Sequence, residues 1–283
     1  MNKRRQLEER FFRLCMVLSL ILVLSVLVAI LLTVFVKGAP ALNLAMITQT
    51  PKGGYYLGKE GGIANAIVGS LCLAGGATLL SLLAGLPLAF ALQREYSKRR
   101  TAGVTRLVLD VLWGVPSIVY GAFGFVIMQY LGVRASMLGG ILTLTLVILP
   151  FMVRAMDEVI RMVPLELKEI SYAAGATVWE TSLAVVLRQA LPGIVTAVIL
   201  SFGRGIGDAA AILFTAGYTD YLPRSVMDPV ASLPLAIFFQ IATPIPEVQQ
   251  RAYAAALLLL IIVLVVSLGS RVLGQRLARN ILH

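Results

Sequence analysis

Long apolar runs dominate this chain, at about residues 12–36, 62–92, 105–131, 136–156, 193–217 and 251–274. Each holds roughly 20 residues or more, enough for a helix to cross about 30 Å of hydrocarbon. The pattern predicts an all-α membrane protein with six transmembrane helices. Two stretches depart from it. Residues 154–194 are mixed in polarity, and "SFGRGIGDAAAIL", residues 201–213, sets an arginine and an aspartate inside an otherwise apolar run.

Composition agrees with the pattern: 59% of the 283 residues are hydrophobic, 13% are charged, and the mean hydropathy is +0.89. A soluble domain carries an apolar fraction nearer one half. The net charge of +10 records topology, because basic residues in short loops stay on the cytoplasmic side. Most of the 24 basic residues fall near the N-terminus, after the second and fourth runs, and in the tail. Both termini are therefore expected in the cytoplasm. A nucleic-acid partner is not expected, and the lipid bilayer is. The first run exceeds a leader's apolar core and no small-residue cleavage site follows "TVFVKGAP", so it reads as a retained anchor.

Soluble-enzyme chemistry finds no support. Cys15 and Cys72 fall within apolar runs and read as small core residues, the one histidine is His283, and no metal cluster, His-based triad or phosphate-binding Gly-Lys-Ser/Thr loop is present. No cofactor is expected on this chain. "GIGD", residues 205–208, matches the Gly-x-Gly-Asp pattern of intramembrane aspartyl proteases. That chemistry needs a second facing aspartate, and Asp110, beside Arg106, is the sole candidate.

In residues 154–194, Pro164 suits a helix first turn. Leu165, Ile170, Ala173 and Ala174 offer an apolar stripe, Gly175 breaks it, and a second helix is expected from about Val178 to Leu191 before the span at "LPGI". The stretch resembles the coupling loop of ABC importer permeases, a glutamate followed at fixed spacing by a glycine, an aliphatic residue and a leucine. Glu169, Gly175, Val185 and Leu187 stand at those places, while Ile170, Ser171 and Arg188 replace two alanines and a proline. The loop is bounded at residues 157–192, and the resemblance implies that Glu169, Ala173, Ala174 and Gly175 couple to an ATPase subunit. A passive anion channel would leave this loop without a purpose.

Residues 59–97, 106–125 and 201–217 together look like the core of the PstA-type subunit of phosphate ABC importers, a type I permease fold. The similarity covers about residues 60–275. The implied organisation is an N-terminal segment with the first span and an external loop (1–60), a permease domain (61–275) and a cytoplasmic tail (276–283). The resemblance further implies a PstC-like second permease, two PstB-like ATPase subunits carrying ATP and magnesium, a PstS-like external phosphate-binding protein, and a bacterial or archaeal plasma membrane. Permeases for other oxyanions are similar.

With the fifth span starting at Gly193, Arg204 lies about 16 Å in, near the midplane. An arginine there costs at least about 2.5 kcal/mol and needs a partner or a wet path. Asp208, one turn on, is placed to pair with it. Gly203, Gly205 and Gly207 thin the helix around them. Two roles are open: a cation offered to an oxyanion, or an ion pair that only fixes packing. Pro116 is expected to interrupt the third span, with Ser117 and Tyr120 supplying hydroxyls to a path.

Overall fold

The computed structural model describes the backbone of residues 3–52 and 60–278, and side chains within 8–52 and 61–276. Lys59, Arg279 and His283 lie outside the described side chains. In chain order the helices are α1 (Lys3–Gly38), α2 (Leu44–Thr48), α3 (Ala64–Ala91), α4 (Arg99–Gly114), α5 (Ser117–Tyr130), α6 (Met137–Arg161), α7 (Leu165–Ala173), α8 (Val178–Thr181), α9 (Leu187–Ile206), α10 (Leu233–Ile241) and α11 (Pro246–Ala278). A two-residue antiparallel ladder, Pro51–Lys52 with Glu60–Gly61, closes the loop before α3.

Among the described residues five helices are long and apolar enough to cross a membrane, and a sixth crossing is possible only as a bent pair. That pair is the third span, interrupted at Pro116 as its sequence leads one to expect. α4 and α5 meet at a 94° bend, because Pro116 removes a backbone donor and pushes Val115 out of the helical region, to φ −71°, ψ 130°.

The fifth span also differs from its expected limits. No break occurs near Gly193: α8 continues through a π-helical turn at Ser182–Val186 into α9, giving one helix, Val178–Ile206. Pro192 is tolerated inside it. The helix ends at Ile206 rather than near Gly217. Residues 207–232 form an irregular strap punctuated by Gly217 (φ +77°), Pro223 and Pro229. The strap is useful to α6, whose entering N–H groups have no intrahelical acceptors: Ser136, Met137 and Leu138 donate to the carbonyls of Thr215, Asp228 and Val226 at 2.7–2.9 Å.

The core is layered along α6. At one end Met152, Val153, Met156 and Ile160 pack with Leu92, Leu109, Val186 and Ile194. In the middle Leu144 and Ile148 meet Leu73, Ile212 and Leu235. At the other end Ile63, Leu233 and Ala254 close the stack with Met46 from α2. Gly69 lets the strap cross α3 closely, since a Cβ there would collide with the Ala231 carbonyl. Through its apolar run α1 is exposed on every side, as expected of a helix solvated by lipid, and at its C-terminal end it packs on α11, where Gly38 meets the Tyr253 backbone and Lys37 lies over the Tyr253 ring.

Candidate functional site

Arg204 sits in the last turn of α9, where the carbonyl end of the helix favours a cation. Its side chain is exposed and lies over the Phe151 ring, 5.8 Å from the centroid. Phe151 in turn meets Trp113, ring to ring at 5.8 Å, just before the α4–α5 bend. A Cβ added at Gly203 meets nothing within 4 Å, and at Gly207 only carbonyls of its own turn. Gly205 points the other way, toward Leu144 and Ile148. Gly203 and Gly207 therefore flank an open face around one guanidinium, while Gly205 packs the core.

The expected Arg204–Asp208 pair does not form. Because α9 stops at Ile206, Asp208 is no longer one helical turn above Arg204. Its carboxylate instead accepts from the Ala211 N–H at 2.9 Å and shapes the start of the strap. Among the described residues Arg204 has no ion pair. The two roles posed for it thus separate, since a pair that is absent cannot fix helix packing.

The bend gathers the other predicted residues nearby. Tyr120 donates to the Leu112 carbonyl at 2.8 Å, joining the Val115 N–H on an acceptor whose i+4 partner, Pro116, has no N–H to give. Its hydroxyl lies within electrostatic reach of Arg204. Ser117 opens α5 and is half-buried. Asp110 engages Arg154 at 2.7 Å while Asp208 engages a backbone amide, so no facing aspartate pair exists among these groups.

At the opposite end of α9, α7 and α8 form a protruding knob. Gly175, at φ +88°, turns the chain in a conformation that a side chain disfavours. Thr177 caps α8 in a reciprocal box with Glu180. Hydrogen bonds from the Thr177 N–H and hydroxyl hold the Glu180 carboxyl below its ordinary value. Leu165, Ile170 and Trp179 are 59%, 66% and 62% exposed, and Glu169, Ala173 and Ala174 are also exposed. Such apolar exposure outside the spans suits a protein partner.

Between knob and bend lies a charged cluster that the sequence reading passed over. Asp157, fully buried on α6, accepts from Arg106 Nε at 2.7 Å and Nη2 at 2.9 Å, from Arg154 Nη1 at 3.2 Å and from Gln93 Nε2 at 3.0 Å. Arg106 also donates to the Leu92 carbonyl. The turn after α3 then reaches the knob. Lys168 Nζ donates to Glu95 at 2.8 Å, and Tyr96 donates to the Ser182 hydroxyl or the Val178 carbonyl. Burial opposes ionisation of Glu95, yet the Lys168 hydrogen bond, its own backbone N–H and the nearby charges outweigh it, so the carboxyl sits below its ordinary value. The available signal was Asp157 three residues after Arg154 at the end of an apolar run.

A polytopic helical body with an exposed knob and, among the described residues, an unpaired cation beside a broken helix has the parts of a membrane transport subunit. Residues 81–279 match the binding-protein-dependent transport system inner membrane components, and the chain belongs to that family, as a multi-pass plasma-membrane subunit rather than an enzyme. Within it the resemblance is to PstA-type permeases. The phosphate transport system permease protein PstA of Xylella fastidiosa strain 9a5c is 34% identical over 247 residues, 85% of this chain and 83% of the relative. That of Yersinia pestis is 32% identical over 280 residues, 96% and 92% of the two chains. Two solved structures share the fold. A bacterial alginate ABC transporter has TM-score 0.68 at 14% identity, covering 98% of this chain and 99% of the other. The inward-facing MetNI methionine ABC transporter has TM-score 0.60 at 18% identity, with 76% and 95% covered.

Proposed function

We propose that this chain is the permease subunit of an ATP-driven phosphate importer, lining half of the path with the face around Arg204. The observation that carries the reading is that guanidinium: exposed, unpaired, set between two glycines and beside the α4–α5 bend. An anion leaving water needs a cation to replace its hydration, and the planar fork of arginine can hold two phosphate oxygens at once. The open face supports a homologous PstC-like permease as the other wall. The knob supports docking on one of two PstB-like ATPase subunits, which carry ATP and magnesium, and a PstS-like protein delivers the ion from outside. The relatives' names support phosphate as the substrate. The knob side is taken as cytoplasmic, in line with the basic residues clustered there.

In this scheme closure of the ATPase subunits on ATP pushes the knob. The Glu95–Lys168 and Tyr96–Ser182 contacts carry that push to the turn after α3, and Arg106 and Asp157 pass it to α4 and α6. α4 then pivots at the bend beside Arg204, exchanging inward for outward access. Asp208 shapes the strap and leaves Arg204 free for the ion.

Uptake of labelled phosphate by the assembled complex in proteoliposomes tests this. Arg204→Met should cut uptake by roughly 10- to 150-fold, the size of a lost charge-assisted contact, without loss of assembly, because among the described residues no ion pair depends on that charge and methionine can still lie over Phe151. Arg204→Lys should keep part of the activity. Near wild-type uptake by an assembled Arg204→Met complex would leave the arginine no role in binding.

A further inference from the structure

A groove of about 740 Å³ runs between α3, α9 and α11, with walls that include Leu79, Val198 and Phe202 and with Arg276 at one end. Two of its lining residues, Gly75 and Gly269, lie inside helices, where glycine is less favourable than alanine. Neither is needed for close packing, since a Cβ added at either meets nothing within 4 Å. Their missing side chains widen a groove that no described residue fills. Thr78 lines it too: the residue is 7% exposed and its hydroxyl is buried with no hydrogen-bond partner.

From Val266 to Arg276 the groove follows α11 for about 15 Å, half of the roughly 30 Å hydrocarbon layer. Arg276 marks the knob side, because Gly274 near it lines a small pocket with Val159 and Gly193. Arg276 is exposed, and no ion pair engages it among the described residues.

We infer that this groove binds an anionic phospholipid of the knob-side leaflet, with one acyl chain lying along Gly75 and Gly269 and its phosphate held by Arg276. The occupant is lipid rather than a neighbouring helix on two grounds. On α9, Phe202 lies two residues from Arg204, about 200° around the axis, so the groove faces away from the wall assigned to the second permease. The groove also carries an exposed cation, Arg276, at its knob-side end, where a lipid headgroup lies. The inference rests on reading these helices as membrane spans and not on the identity of the transported ion.

Native mass spectrometry of the purified complex, exchanged into mild detergent with added phosphatidylglycerol or phosphatidylcholine, provides the test. Wild type should retain phosphatidylglycerol in preference. Arg276→Gln should weaken that retention about tenfold, one charge-assisted contact's worth, and abolish the preference. Gly269→Phe, and separately Gly75→Leu, should displace both lipids while the complex still elutes as a single assembly. A photo-crosslinker at Leu79 should capture lipid. Full preference in Arg276→Gln, wild-type retention in both filled-groove variants, or crosslinking of Leu79 to a partner polypeptide would each overturn the assignment. Lipid retention is read by mass, so a complex that bound the lipid and failed to import phosphate would sink the transport reading alone.

Discussion

Asp157→Asn removes one charge and no volume from the buried cluster, and its cost follows from the geometry. Both carboxylate oxygens accept two donors each, from Gln93 and Arg106 on one side and from Arg106 and Arg154 on the other. An amide at this place turns one oxygen into an NH₂ that faces two donors, so two hydrogen bonds are lost whichever way it points. Arg106, whose side chain is 22% exposed, is left partly buried without its anion, whereas Arg154 keeps Asp110. Breaking a buried pair from one side costs about 3–5 kcal/mol. For a chain of this size that lowers the midpoint of thermal unfolding by about 6–20 °C. The assay is thermal unfolding of the purified protein in detergent, followed by tryptophan fluorescence. Adding Arg106→Gln should recover part of the loss, because glutamine removes the orphaned charge and can still donate to the Leu92 carbonyl. A single variant that melts within about 2 °C of wild type, under 1 kcal/mol by the same conversion, would refute the view that this cluster ties α4 to α6.

Gly175→Val should leave the protein inserted but abolish ATP-dependent uptake, because φ +88° is strained for a β-branched residue by about 1–3 kcal/mol; normal uptake would remove the knob from the coupling route. The Glu95–Lys168 contact should have an acid limit. A carboxyl whose folded value is depressed contributes stability above its unfolded value, near 4.5, and loses it as pH falls through the lower folded value. In a Trp113→Phe, Glu180→Gln background the Trp179 fluorescence should therefore change below about pH 4.5 and not between 5 and 8, and Glu95→Gln should remove that transition. With Cys15 and Cys72 replaced, a cysteine at Glu166 should resist a membrane-impermeant thiol reagent in intact cells while one at Ser225 should react; the reverse pattern would invert the assigned orientation.

The membrane class was legible without any coordinates, because spans are selected by solvation: long runs such as residues 12–36 and 251–274 have no stable place but lipid. The knob was legible for a local reason as well. Gly175 between an apolar stripe and a second helical stretch encodes a turn within one short segment, and the Thr177–Glu180 cap beside it, equally local, was passed over. What escaped the sequence depends on partners far along the chain. Whether an apolar run is one straight helix is decided by what its ends meet, so the run at 193–217 divided into the end of α9 and a strap whose carbonyls serve α6. That division separated Arg204 from Asp208, a pair that i to i+4 spacing alone had joined. Asp157 found Gln93 and Arg106, more than 50 residues away, only because α3, α4 and α6 pack side by side. The empty groove at Gly75 and Gly269 likewise exists only where three helices meet. The sequence determined solvent, helix content and local turns, since those follow from neighbours along the chain; the tertiary structure decided which charges pair and which cation stays free, because a buried charge takes its partner from packing.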